Sequence, residues 1–136
     1  MRRSLKNIFS IFTFLVISLF IFSNAYASIA WQPYSSAVFE KAKKEKKLVL
    51  IYGMSETCHW CQKMSSESFT DPSIVSIINS KYIPVSIDVG YQSDLADNYN
   101  IMGTPTIIIM DGNKRELTRI PGYVSPSEFK YTLQNP

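Results

Sequence analysis

The stretch Glu56-Thr57-Cys58-His59-Trp60-Cys61-Gln62-Lys63-Met64 holds both cysteines of the 136-residue chain and its single histidine. Two thiols separated by two residues can act as a structural crosslink, as metal ligands or as a reversible redox pair. A crosslink over so short a loop restrains the unfolded chain very little, because loop entropy grows with the logarithm of loop length. A closed zinc site needs four ligands, and a second pair of cysteines or histidines is missing. Cu(I) is the stronger metal candidate, since Met54, Met64 and Met102 add thioethers to two thiolates. The alternative for those methionines is gap-filling in a core or at its rim. Covalent haem attachment needs histidine directly after the second cysteine, where Gln62 stands.

Redox use makes demands on the fold, and the neighbouring sequence meets them. Leu48–Gly53, LVLIYG, is a continuous apolar run ending in glycine, the pattern of a strand buried on both faces. A short turn and a helix from Cys58 toward Ser66 put the first thiol at a helix N-terminus. There the unpaired N–H groups and the helix dipole favour a thiolate. Cys61, one helical turn later, is placed to attack a mixed disulfide formed at Cys58.

The remaining elements follow from pattern and punctuation. Ser35–Lys46 reads as a helix with Ser35 or Ser36 as N-cap and Ala37, Val38 and Ala42 inward. Its interleaved lysines and glutamates are a solvated face, and Lys63 and Glu67 are expected at the surface too. In FTDPSIVSIINSKY, Thr70 or Asp71 caps, Pro72 takes the first turn, and Ile74, Val75, Ile77 and Ile78 face the core. Tyr82–Val89 is a strand with Ile83, Val85 and Ile87 on one face and Pro84 near its start. Ser93–Tyr99 is a short helix. Thr106–Met110 and Glu116–Ile120 form a hairpin around Asp111-Gly112-Asn113, and Ser125 opens a last helix ending near Leu133. Strand–helix–strand alternation followed by a hairpin predicts an α/β domain with a mixed central sheet between helices.

Met102-Gly103-Thr104-Pro105-Thr106 precedes a strand 47 residues after Cys58. With CxxC after a buried strand, G-T-P-T opening a strand, a D-G hairpin, Gly122 and a final helix, the chain resembles the thioredoxin-like superfamily over about residues 35–134. The segment from Cys58 to Val75, with Phe69, Asp71 and Pro72, is similar to exported members. Those include the C-terminal domain of the bacterial transmembrane disulfide reductase and SoxW-like thioredoxins. The resemblance implies a thioredoxin fold, Cys58 as nucleophile, Cys61 as resolving thiol and a cis Thr104–Pro105 bond packed on the pair. It also implies that Thr104 pairs with an extended substrate and that His59 and Trp60 tune potential and docking. Three positions depart from the thioredoxin pattern: Tyr52 stands for a buried aspartate, Thr57 for tryptophan, and His-Trp for Gly-Pro. Glu56, water and the Tyr52 hydroxyl are the candidates for proton handling at Cys61. A protonated His59 would make the protein more oxidising, whereas the likeness points to a reductant.

Residues 1–27 have the layout of a signal peptide: Arg2, Arg3 and Lys6, an apolar run from Ile8 to Phe22, then Ala25-Tyr26-Ala27. The alternative is an uncleaved anchor. Three of the 14 lysines and arginines lie there and none of the 11 acids, so the rest of the chain carries 11 of each. That balance gives no case for nucleic-acid binding. Residues 28–34 are expected to be a loose lead-in to a single domain over 35–134. The expected protein is a periplasmic or extracellular monomer that needs no bound cofactor beyond the Cys58–Cys61 pair. Its expected partners are disulfide-containing proteins and a membrane-bound redox donor. The rival readings are a Cu(I) chaperone and a disulfide oxidase.

Overall fold

The computed structural model describes residues 27–136, so the expected leader lies outside the described residues apart from Ala27. In chain order the elements are β1 (Gln32–Pro33), α1 (Ala37–Glu45), β2 (Leu48–Met54), α2 (His59–Glu67) and α3 (Pro72–Lys81). Then come β3 (Tyr82–Asp88), α4 (Ser93–Asn98), β4 (Thr106–Met110), β5 (Glu116–Pro121) and α5 (Pro126–Gln134). One sheet has the order β1-β3-β2-β4-β5. β1 and β2 run parallel to β3, while β4 is antiparallel to both β2 and β5. This is the mixed, helix-flanked sheet that the sequence pattern predicts, and it is the thioredoxin fold. Among the described residues no helix is long and apolar enough to cross a membrane.

β2 is the axis of the molecule because both of its faces are buried. Leu50 and Tyr52 join the core beneath α2, α3 and α5 with Met64, Ile74, Ile78, Ile107, Phe129 and Leu133. Val49 and Ile51, pointing the other way, join the core beneath α1 and α4 with Val38, Phe39, Ile83, Val85, Ile87 and Ile108. Each large aliphatic side chain fully buried in this way contributes roughly 1.5–3 kcal/mol. Gly53 ends the run because Ile101 leaves no room: a Cβ there would lie 2.9 Å from the Ile101 Cγ2.

Two of the helix starts are capped as their local sequence suggests, and one is not. Asp71 caps α3, accepting from the N–H groups of Ser73 at 2.8 Å and Ile74 at 3.2 Å, with Pro72 in the first turn. Ser125 and Glu128 form a reciprocal capping box on α5. At α1, by contrast, the expected serine cap does not form. Ser36 has helical torsions and makes no side-chain cap bond, and the helix is entered through the Val38 N–H to the Ser35 carbonyl at 3.2 Å.

The expected loose lead-in also differs. Gln32 and Pro33 pair with Val85 and Ser86, adding an edge strand to β3. A proline is tolerated there because an outer strand need not donate on its free side. Ala30 and Ser28 are tied to the Asn79 side chain at 3.0 and 2.8 Å, which brings Trp31 onto the core under α2.

Two outcomes follow. Tyr82 is buried, and its hydroxyl donates to the Leu133 carbonyl at 2.6 Å, holding the last turn of α5. Tyr82→Phe leaves that carbonyl unpaired and should cost about 1–3 kcal/mol in urea unfolding at an unchanged denaturant slope. The Asp71 carboxyl is held below its ordinary value of 3.8 by the Ser73 hydroxyl and the two capping N–H groups. Its contribution to stability is therefore complete above 3.8 and is lost as pH falls through the lower folded value. Asp71→Asn, which caps without titrating, should flatten acid unfolding in that window; an unchanged acid limb would contradict the cap's role.

Candidate active site

The turn that follows β2 delivers a sulfur to the start of α2. Cys58 N–H bonds the Ser55 carbonyl at 3.2 Å, and Cys58 has extended torsions (φ −82°, ψ 109°) as the N-cap of α2. Its Sγ accepts the N–H of Cys61 at 3.1 Å, the bond a serine oxygen makes at an ordinary N-cap. Cys58 and Cys61 are joined in a disulfide, with Cα atoms 5.2 Å apart. Cys58 is half-buried and Cys61 is 3% exposed, so the two sulfurs are not equivalent. When the bond opens, charge on Cys58 Sγ meets an N–H donor and the positive end of α2, whereas Cys61 faces the core.

The second wall is the segment before β4. Thr104–Pro105 is cis, and Pro105 is buried while Thr104 is half-buried. Thr106 pairs with Gly53 at the end of β2, which sets this segment at the same end of the sheet as the Cys58 turn. Two further bonds fix it: Thr106 Oγ1 donates to the Gly103 carbonyl at 2.6 Å, and Gly122 N–H donates to the Pro105 carbonyl at 2.8 Å.

Beneath Cys61 lies an aromatic floor. Tyr52 and Phe69 pack edge to face with centroids 4.9 Å apart, and Trp31 packs on both, at 5.4 and 5.2 Å. The Tyr52 hydroxyl donates to the Cys61 carbonyl at 3.4 Å. Burial pushes this phenol above its ordinary value of 10.0, against a smaller opposite pull from the Ser65 hydroxyl. A cleft of about 430 Å³ opens beside it, lined by Tyr52, Glu56, Cys61 and Ser65 among others.

His59 and Trp60 are exposed on the first turn of α2, their rings 5.5 Å apart. Trp60, 51% exposed, packs on Tyr123 at 5.5 Å. The Tyr123 hydroxyl donates to Glu67, which also receives Lys63 Nζ at 2.5 Å. Lys63 and Glu67, expected as plain solvated surface, are therefore an anchor for a residue from the β5–α5 loop. Met64 is completely buried, Met102 is 93% exposed and half-buried Met54 lines the cleft beside Cys61, so the three methionines considered as copper ligands occupy different environments. Among the described residues no group of three or more His, Cys, Asp or Glu side chains is placed to hold a metal ion.

The structure thus brings Cys58, Cys61, His59 and Trp60 onto one helix start and sets Thr104 and Pro105 at the same end of the sheet. Sequence reasoning missed Trp31 and Tyr123. Tyr123 directly follows Gly122, already notable for its position after β5, and that adjacency was the available signal.

A disulfide at the head of a helix, on a mixed five-stranded sheet with a cis-proline segment at the same end, defines a domain of thioredoxin fold whose cysteine pair is placed for thiol–disulfide exchange. More particularly, the chain belongs to the DUF255 family (Thioredox_DsbH, described as protein of unknown function), whose model matches residues 15–112. Spermatogenesis-associated protein 20 of Mus musculus is 34% identical over 82 residues, 60% of this chain and 10% of that protein. The thiol:disulfide interchange protein DsbD of Haemophilus ducreyi is 28% identical over 89 residues, 61% of this chain and 15% of that protein. The chain therefore spans only a small part of the length of these curated relatives. A thioredoxin from Thermus thermophilus superimposes with a TM-score of 0.69 at 28% identity, covering 79% of this chain and 85% of that one.

Tyr52 stands where a titrating acid would be expected, yet its raised pKa keeps the phenol neutral below 10.0. Tyr52→Phe should leave the shape of the pH–rate profile for disulfide exchange unchanged below 10.0 in stopped-flow measurements. A limb that moves with this substitution would show the phenol titrating in the reaction.

Proposed function

We propose that the protein is an exported reductase of protein disulfides, re-reduced by a membrane-bound dithiol donor. The observation that carries this reading is the inequivalence of the two sulfurs at the start of α2, one half-buried at the N-cap and one in the core. In the reduced protein, the Cys58 thiolate attacks one sulfur of a substrate disulfide. That S–S bond breaks, the other substrate sulfur leaves as a thiolate and takes a proton, and a mixed disulfide forms on Cys58. Cys61, deprotonated, then attacks Cys58 Sγ and expels the second substrate thiol. Two electrons have passed to the substrate, and the Cys58–Cys61 disulfide remains to be reduced by the donor.

Thr104 offers its backbone to an extended substrate segment beside Pro105, in the manner of strand addition. His59 and Trp60 border the reacting sulfur. No bound cofactor takes part in this scheme. Export to the periplasm or beyond is supported by the leader pattern of residues 1–27. A membrane donor is supported by the similarity to DsbD, a thiol:disulfide interchange protein. The burial of Met64 and the exposure of Met102 give no support to Cu(I) carriage.

The test is insulin reduction by the purified protein. Wild type should be active, Cys58→Ser inactive, and Cys61→Ser should accumulate a mixed disulfide with its substrates, which identifies them by mass spectrometry. An inactive wild type would sink the enzyme reading. The reduction potential of the pair separates the directions of flow: a value near about −270 mV marks a reductant and one near about −120 mV an oxidant.

A further inference from the structure

The loop from β5 to α5 touches both walls of the disulfide with two adjacent residues. Gly122 donates its N–H to the Pro105 carbonyl, and Tyr123 packs its ring against Trp60. The chain turns between these contacts at a φ of +90° on Gly122, a conformation that favours glycine even though open space surrounds the position. Tyr123 is then fixed from α2. Its hydroxyl donates to Glu67, Lys63 Nζ holds the same carboxylate at 2.5 Å, and that ammonium lies 5.4 Å from the Tyr123 ring centroid. The phenol and the carboxylate are 56 residues apart in the chain.

Trp60 gains most from this arrangement. An indole that is half exposed on the first turn of a nine-residue helix has free rotamers unless a neighbour blocks them. Tyr123 and His59 both pack against it, each with ring centroids 5.5 Å away. A large aromatic surface held in one orientation binds an apolar side chain without the entropy loss of being ordered at the moment of docking.

We propose that Tyr123, pinned by Glu67 and Lys63, is a positioning residue that holds the Trp60 indole as a fixed wall beside Cys58, selecting substrates with an apolar side chain next to the disulfide cysteine. The substrate part rests on the oxidoreductase reading above, whereas the positioning part rests on geometry alone. The wall is therefore built by three residues on α2, Trp60, Lys63 and Glu67, and by one loop residue that joins them.

The experiment compares wild type, Tyr123→Phe, Tyr123→Ala and Glu67→Gln in two assays. The first is steady-state reduction of two disulfide peptides that differ only in leucine or serine beside the cysteine. Wild type should favour the leucine peptide. Tyr123→Ala should raise its KM about three- to tenfold at unchanged kcat and leave the serine peptide unaffected. Tyr123→Phe, which keeps the ring and loses the pin, and Glu67→Gln, which weakens the pin by removing the charge that Lys63 pairs with, should fall between. The second assay is ¹⁹F NMR of the protein labelled with 5-fluorotryptophan, the Trp60 resonance being assigned by Trp60→Phe. That resonance should shift in every variant, most in Tyr123→Ala, while the Trp31 resonance stays in place. Unchanged leucine preference and an unchanged Trp60 resonance in all three variants would overturn the proposal. A Tyr123→Ala protein that fails to fold leaves Tyr123→Phe and Glu67→Gln to decide it by the same criteria. A wild type that reduces neither peptide overturns the substrate assignment together with the reductase reading, and the ¹⁹F arm still decides the positioning role.

Discussion

Beginning α2 on a thiol, one short turn after a strand buried on both faces, imposes most of what the site can do. β2 is covered on both faces, so its end is rigid, and the turn over Ser55–Thr57 leaves Cys58 little choice but the N-cap. An N-cap atom sees the free N–H groups of the first turn, and here the acceptor is sulfur. Three residues later the same helix has rotated its side chains toward the sheet, so Cys61 enters the core. The spacing that lets the two sulfurs bond is thus the spacing that makes them unlike. One can hold charge near solvent, and the other is shielded from it.

What lies under Cys61 sets a second constraint. Tyr52, Phe69 and Trp31 pack into an aromatic floor whose only polar contribution toward Cys61 is a phenol donating to its backbone carbonyl. A carboxylate in that position would have to ionise in low dielectric, and its pKa would rise as a result. A phenol avoids the difficulty by staying neutral, and it gives up the ability to accept a proton. Among the described residues lining the cleft beside Cys61, Glu56 is the one carboxylate, and it stands at the exposed rim. The carboxylate that shares this cleft with Cys61 is therefore on its solvent side and not in the aromatic floor beneath it.

The legible parts of the structure were those governed by near neighbours. The apolar run of β2, the Asp71-Pro72 start of α3, the Asp111-Gly112 hairpin and the i, i+3 thiols are short-range patterns with a physical cause, and the structure places each within a residue or two. Two parts were not legible. β1 is two residues long and contains proline, so it has no period to detect; it exists because β3 has a free edge and Asn79 holds the chain before it. Tyr123 packs on Trp60 and bonds Glu67 across 56 residues, and its one local sign is the Gly122 that precedes it, which does not name either partner. Likewise Lys63 and Glu67 look like any solvated i, i+4 pair until a third group, the phenol, arrives between them.

The anchor formed by Lys63, Glu67 and Tyr123 is suited to a redox site because a cation and a neutral phenol both donate to one carboxylate, and each bond favours the protonation state that makes it. Bonds from Lys63 and then Tyr123 pull the Glu67 carboxyl below its ordinary 4.5. The same carboxylate raises Lys63 above 10.5 and Tyr123 above 10.0. Acid breaks the arrangement only when pH falls through the depressed carboxyl value, and alkali only when it rises through the elevated phenol value. Thiol–disulfide exchange needs thiolate, whose ordinary pKa of about 8.5 lies well inside those limits. The bonds that hold Tyr123 against Trp60 are therefore kept between the lowered carboxyl value and the raised phenol value, a range that includes ordinary thiol ionisation.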